Sequence, residues 1–251
     1  MPSEKASALV LRVTDFSETS LVVSLFTREF GKIGALAKGA RRLKNPFESA
    51  LDVLTHCRIV FLHKSSEALD LVTEAKLVRR FRPNGANLRG LYAGYYVAEL
   101  LGDLTDDNDP HPELFDLADE TLAALAGGDV VHRRLPRFEL GALGYVGHAP
   151  ALGQCAECGT EIEMTGRIAF GGIHGGVLCR NCRQGKSKVV SVSAGVVRTM
   201  AQLADMESQT WRRMEIDPRT LGELRGVLNH YISHLVGRKP RMYDYLREFW
   251  S

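Results

Sequence analysis

The feature that most constrains this chain is a change of apolar rhythm near Pro83. Before it, apolar residues alternate or form short runs; after it they recur at helical spacing. Ala6–Val13, Leu21–Thr27, IGALAKG from Ile33, Cys57–His63 and LDLVTEAKLV from Leu69 each read as a strand. REFGK, through Gly31, and SSE at 65–67 read as turns. Ile33, Ala35 and Ala37 share one face of a strand, as do Cys57, Ile59 and Phe61, with Val60 and Leu62 pointing to partial burial of the other face. Five strands in about 80 residues fit a small closed or partly open barrel, for which an OB-fold and an SH3-like barrel both suit the count.

Beyond Pro83, Leu88, Leu91, Tyr92, Tyr95, Val97, Leu100, Leu101 and Leu104 mark a helix with apolar residues nearly all round, the pattern of burial in a bundle. Pro112 suits the first turn of a helix carrying Leu114, Leu117, Ala118, Thr121, Leu122 and Leu125, ended by Gly127-Gly128. Asp129 is placed to cap a third helix with Val131, Leu135, Phe138, Ala142 and Tyr145 inward, which Pro136 should kink or delay. Ser193 is an N-cap candidate, and Asp217-Pro218 opens a helix with Leu221, Leu224, Leu228, Tyr231 and Leu235 on one face. MYDYLREFW closes the chain as a short amphipathic helix. The expectation is an α+β, multidomain chain: a barrel at 1–82, a helical domain at 83–150 and 186–251, and a cysteine-rich insert at 151–185.

The net charge of +2 conceals a pattern. Residues 1–82 carry 14 Lys and Arg against 9 Asp and Glu, residues 83–150 carry 4 against 11, and residues 151–251 carry 14 against 10. Two basic regions flank an acidic one, so a polyanion surface fits better than the average suggests. No apolar run approaches the roughly 20 residues of a membrane-spanning helix. The N-terminus, MPSEKASALVLRV, lacks the apolar region and cleavage pattern of a secretory leader. A reducing cytoplasm is expected, where paired cysteines more often signal metal than disulfide.

Cys155-Ala-Glu-Cys158 and Cys179-Arg-Asn-Cys182 form C-x2-C-x20-C-x2-C. Two intervening residues let one tight turn aim both sulfurs at a single ion, and Gly159 can supply the positive φ of such a turn. Four thiolates in tetrahedral array match Zn²⁺, with no open position for substrate, so one structural ion is expected. A redox dithiol and an iron–sulfur cluster are the alternatives, the latter less favoured by the spacing. His174 lies nearby, but four thiolates already complete the shell. Cys57 reads as a small core residue.

Phosphate-loop, H-E-x-x-H, G-x-S-x-G and strand-linked G-x-G-x-x-G motifs are absent. Asp106, Asp107 and Asp109 read as an acidic loop between helices, although such a cluster is also what a metal-dependent hydrolase would use. No enzyme active site is read from the chain. The remaining candidate is AKGARRLKNPF, Ala37–Phe47, which packs Lys38, Arg41, Arg42 and Lys44 into seven residues at the end of a strand. It is either solvated surface or a grip on nucleic acid. Arg79, Arg80 and Arg82 form a second cluster where the last strand leaves the barrel. Cations on a barrel groove gain affinity by releasing condensed counterions, reading charge and not base identity. Phe16, Phe26 and Phe47 offer stacking surfaces, but barrel aromatics are mostly core. Arg180, Arg183, Lys186 and Lys188 beside the second cysteine pair motivate a sequence-specific zinc-ribbon transcription regulator as the alternative.

The run ALVLRVTDFSETSLVVSLFTREFGKIGALAKGARR resembles the opening of the RecO recombination mediators, with the T-x-x-F-G-K turn and K-G-A-R-R segment in the family's order. LGALGYVGHAP followed by CAECG and C-x2-C is similar to that family's passage from helix into a zinc ribbon. The resemblance implies an N-terminal OB-fold, a largely helical remainder and a non-enzymatic role in recombinational repair. It implies binding of single- and double-stranded DNA and annealing of complementary strands. It also implies action with RecR to help RecA replace single-stranded-DNA-binding protein, and contact with that protein's C-terminal tail. By position it points to Lys38, Arg41 and Arg42 as DNA contacts, and more weakly to Lys32. Lys44, Arg79, Arg80 and Arg82 are added from charge alone. Some members lack the four cysteines, so the metal is not expected to carry the shared function.

Overall fold

The computed structural model describes residues 3–47, 50–64, 68–85 and 87–248. The SSE turn at 65–67 and the last residues of MYDYLREFW lie outside them. The chain forms two compact units, Met1–Gly128 and Asp129–Ser251.

In the first unit, β1 (Ser3–Asp15), β2 (Leu21–Thr27), β3 (Gly31–Ala37), β4 (His56–Leu62) and β5 (Asp70–Arg79) close into a barrel of order β1-β2-β3-β5-β4. β1 is long enough to serve two neighbours: its first half pairs with β4 and its second with β2. A register shift between Val10 and Arg12 marks the bend that this sharing requires. Closure comes from a short parallel pairing of Ala35–Ala37 with Asp70–Val72. This order is that of the OB-fold, and it removes the SH3-like alternative.

The period-2 reading locates the core. Ile33, Ala35 and Ala37 are buried, as are Cys57, Ile59 and Phe61, while Val60 and Leu62 are half-buried. Alanines at 6, 8, 35, 37 and 75 leave the space that Phe61 and Phe47 fill. Burial pushes the Cys57 thiol up to about 12, so it packs as an inert apolar residue.

Two helices complete this unit among the described residues. α1 (Leu88–Leu104) is capped by Asn87, whose Oδ1 accepts from the Gly90 N–H at 2.9 Å. It is not buried all round: Leu88 and Tyr95 are exposed. α2 (Pro112–Ala126) begins at Pro112 and ends at Gly127, as its sequence requires. The loop between them lies against the β2–β3 turn. Gly31 there has φ +70°, and a Cβ would sit 2.2 Å from the Asp109 carbonyl oxygen. Only glycine permits both the turn and this approach.

In the second unit, α3 (Val131–Tyr145) departs from expectation at both ends. Val130, not Asp129, occupies the N-cap; Asp129 instead accepts from the Val130 N–H at 2.7 Å and pairs with Arg134. Pro136 lies inside the helix and does not delay its start. Tyr145 is exposed, because it falls at the helix end, beyond the buried stripe. Strands β6 (Arg167–Gly171), β7 (Gly176–Leu178) and β8 (Val189–Ser193) form a sheet of order β7-β6-β8, with the single turn α4 (Arg180–Arg183) between β7 and β8. α5 (Ala194–Ala204), α6 (Pro218–Leu235) and α7 (Met242–Arg247) follow. Ser193 and Asp217 cap α5 and α6 as expected. Buried Arg225 of α6 pairs with buried Glu139 of α3.

Asp119 of α2 meets two barrel residues. Its carboxylate pairs with Arg79, and His56 Nδ1 lies 2.9 Å from it. Burial raises the Asp119 pKa, but His56 and Arg79 outweigh burial and hold the carboxyl below its usual range. A depressed carboxyl stabilises the fold above its unfolded pKa of about 4 and loses that contribution as pH falls through the folded value. Asp119→Asn is therefore expected to cost about 1–3 kcal/mol at pH 7. Urea titrations at decreasing pH should show the wild-type advantage shrinking below about pH 4. A difference that is flat across that range would contradict the assignment.

Candidate nucleic-acid interface and metal centre

The Lys38–Lys44 loop follows directly from β3. Its base is fixed on one side by Ala37, paired with Leu21 and Val72. On the other side Phe47 is buried in the barrel and the Ala75 N–H donates to the Pro46 carbonyl at 3.3 Å. Asn45 staples the exit: its Nδ2 donates to the Arg42 carbonyl at 2.8 Å and its Oδ1 accepts from the Phe47 N–H at 2.9 Å. Between these anchors Lys38, Arg41, Arg42 and Lys44 are all exposed. Arg41 pairs with Asp15 at 3.1 Å, an exposed contact worth little in water. No ion pair among the described residues involves Lys38, Arg42 or Lys44.

The other candidates are placed differently. Lys32 is mostly buried; its Nζ donates to the Gly102 and Thr105 carbonyls at 2.9 and 2.6 Å and lies 3.5 Å from Asp107. It caps the C-terminus of α1, where helix carbonyls favour a cation. Arg79 is committed to Asp119. It also stands seven residues along β5 from Val72, the partner of Ala37, or roughly 20 Å at the strand rise. Arg80 is half-buried with interactions of its own, and Arg82 is exposed. The loop cations thus stand together, while Lys32 and Arg79 hold helices to the barrel.

One group escaped sequence reasoning, and a second was only half resolved by it. Arg58 lies directly opposite Lys76 across β4 and β5, and opposite Ser7 of β1, with Lys5 one step along the same face. These three cations line a groove of about 430 Å³ that reaches Pro46 and also holds Glu29 and Glu74. None of the three has an ion pair among the described residues. Far apart in sequence, they are united only by sheet register. The second group is apolar: Phe16 is 62% exposed and Leu43 fully so. Phe26 and Phe47 are core, as expected, but Phe16 is not, because it sits in the β1–β2 turn.

In the second unit the four cysteine sulfurs lie within 4.8 Å of one another. Bonds of about 2.3 Å to one tetrahedral ion would place sulfurs about 3.8 Å apart, and those of Cys158 and Cys179 are 3.8 Å apart. Gly159 takes φ +71° and closes the first knuckle, its N–H donating to the Cys155 carbonyl at 2.9 Å. Cys179 caps α4 by accepting from the Cys182 N–H at 3.4 Å. Burial opposes ionisation of Cys155, but backbone N–H groups of Cys179, Cys158 and Glu157 bring its thiol down to about 6. Cys182 is pushed up by the neighbouring sulfurs of Cys158 and Cys179. A cation at the centre can take the place of the proton that the sulfurs share, so the set can hold a metal ion. His174 faces Glu157 instead, at 3.3 Å. Among the described residues no other group of three or more His, Cys, Asp or Glu converges, so Asp106, Asp107 and Asp109 form no comparable site.

Fold and site together define an OB-fold protein with basic loops and a separate unit carrying a four-cysteine, metal-competent centre. Residues 1–81 match the family model described as Recombination protein O N terminal, and residues 86–243 the one described as Recombination protein O C terminal. A DNA repair protein RecO of Rhodopirellula baltica is 40% identical, with 95% of this chain and 97% of that protein covered. Proteins of the same name from Anaeromyxobacter dehalogenans and Moorella thermoacetica are 32% and 29% identical, covering 99% and 97% of this chain and 97% and 90% of their own. The chain belongs to the RecO family.

Removing the Lys32 ammonium leaves the carbonyls at the end of α1 without their donor. Lys32→Met should lower stability by about 1–3 kcal/mol in urea titration; an unchanged midpoint would show that the cap contributes nothing.

Proposed function

We propose that this protein is a DNA-binding mediator of recombinational repair, without catalytic chemistry of its own. The observation that carries the reading is the anchored loop whose exposed Lys38, Arg42 and Lys44 lack ion pairs among the described residues. Uncompensated cations on a fixed backbone suit a polyanion better than a protein surface of mixed charge. Arg41 extends the set, Arg82 is an exposed cation beyond the far end of β5, and Lys32 and Arg79 act through the scaffold. Phosphates held on such a surface repel each other less, so two complementary strands can approach and anneal.

In this reading residues 1–82 bind single- and double-stranded DNA. The helices of residues 83–150 and 186–251, divided between the two units, offer surfaces for partners, and 151–185 carry a ribbon held by one structural Zn²⁺. The family relationship supports RecR, the C-terminal tail of single-stranded-DNA-binding protein and, indirectly, RecA as partners. It also supports a cytoplasmic, nucleoid-associated location; no described helix is long and apolar enough to cross a membrane. One observation favours a second reading, a sequence-specific regulator: Arg180, Arg183 and Lys188 are exposed beside the second knuckle, although Lys186 is paired with Glu157. Competition with random-sequence DNA separates the two, since a specific reader resists it.

The salt dependence of binding tests the loop. Arg41→Ala with Arg42→Ala should weaken DNA binding and flatten the slope of log K against log salt by up to about two units. An unchanged slope would remove the loop from the interface. The metal is tested independently. The purified protein should carry one zinc per chain, and a chelator should lower its melting temperature while leaving the salt slope intact. Absence of zinc, or a chelator that changes nothing, would contradict the structural ion.

A further inference from the structure

We propose that Phe16 is a stacking surface for an unpaired nucleobase, and that it biases the Lys38–Lys44 loop toward single strands. The proposal rests on the DNA-binding reading above and adds to it a structural basis for strand state. A solitary exposed apolar side chain needs no explanation. Phe16 differs in where it stands and how it is held. It follows Asp15, whose carboxylate is 3.1 Å from Arg41, and Leu43, fully exposed, lies two residues past Arg41. The turn that carries Phe16 is ordered: its N–H donates to the Ser20 carbonyl at 3.1 Å, and the Ser20 N–H to Ser17 Oγ at 3.2 Å. That turn is tied to the basic loop, with the Arg41 N–H donating to the Thr19 carbonyl at 3.1 Å and Arg41 Nη1 to the Ser17 carbonyl at 3.4 Å.

The result is an exposed aromatic ring on a turn that is hydrogen-bonded to the basic loop. Phosphates can occupy Lys38, Arg42 and Lys44 whether DNA is paired or not. An aromatic ring can stack only on a base whose face is uncovered, and a duplex covers its faces. The occupant is therefore an unstacked base of the strand whose backbone lies on the loop.

The test compares wild-type protein with Phe16→Ala and Phe16→Tyr, on oligodeoxythymidylate and on a duplex of equal length. Phe16→Ala should lose affinity for the single strand by on the order of tenfold. Duplex affinity and the salt slope should stay unchanged, because no charge is removed. Phe16→Tyr should retain single-strand affinity. Phe16→Trp should gain, over the native tryptophans, a fluorescence signal quenched by the single strand and not by the duplex. Circular dichroism confirms that each variant is folded. Equal losses on both probes, or no loss on either, overturn the proposal while leaving the loop reading intact. Wild-type protein that binds neither probe overturns the loop reading itself.

Discussion

Three parallel backbone pairs, Ala35–Ala37 against Asp70–Val72, close the barrel, and the rest of the first unit depends on them. Without that seam β3 and β5 would each present a free edge. The seam has its own polar guard. Asp70 is buried, yet its carboxylate accepts from the Lys64 N–H at 2.8 Å and lies 3.2 Å from His63 Nδ1, so the charge is not left alone. Because the basic loop leaves β3 at the end of this seam, closure also fixes where its cations stand. Phe47 then seals the other end by burying its ring among the alanines of the barrel. A loop held at both ends by the core presents charge with less ordering cost on binding than a mobile one.

The acidic middle of the sequence gains a physical role from this arrangement. Asp107, Asp116 and Asp119 pair with Lys32, Arg28 and Arg79 respectively. Arg28 and Lys32 flank the β2–β3 turn, whereas the basic loop leaves the opposite end of β3. Carboxylates thus neutralise barrel cations where α1, α2 and their connecting loop pack, and leave the Lys38–Lys44 end positive. The barrel begins with a general excess of cations and finishes with a polarised one. The acidic helices leave the positive charge of the loop end uncancelled.

Much of this was legible in the sequence, and the parts that were not share a cause. Period-2 patterning at Ile33, Ala35 and Ala37, the Asp217-Pro218 cap and the cysteine spacing are local signals, and the fold honours them. Lys32 could not be separated from Lys38 by charge, because the distinction lies in the α1 carbonyls that Lys32 reaches from seventy and more positions away. Arg58 and Lys76 meet through sheet register, which no local pattern encodes. For Phe16 residue type favours core over stacking surface, yet the ring sits in the β1–β2 turn and is exposed. Tyr145 erred in the same way at a helix end. In each case the residue's chemistry was visible, but its surroundings depended on chain remote in sequence.

Each unit buries its own apolar core, and the second adds the four-cysteine cluster. The barrel buries sixteen residues in one contiguous cluster, Phe47 and Phe61 among them. The ribbon's cluster is Cys155, Ala169 and Leu178, with Ala156, Ile162 and Val189 partly covered. Ile168, Phe170, Val177 and Val192 of the same sheet are also buried, so this glycine-rich segment rests on apolar packing as well as on its cysteines. A metal ion held by the four sulfurs would add to that packing. Such an ion would act in the second unit, whereas the barrel's charge pattern is built on the hydrophobic closure of the first. The loop cations, the Phe16 turn and the seam that positions them all lie in residues 3–79, where the packing is complete without a metal.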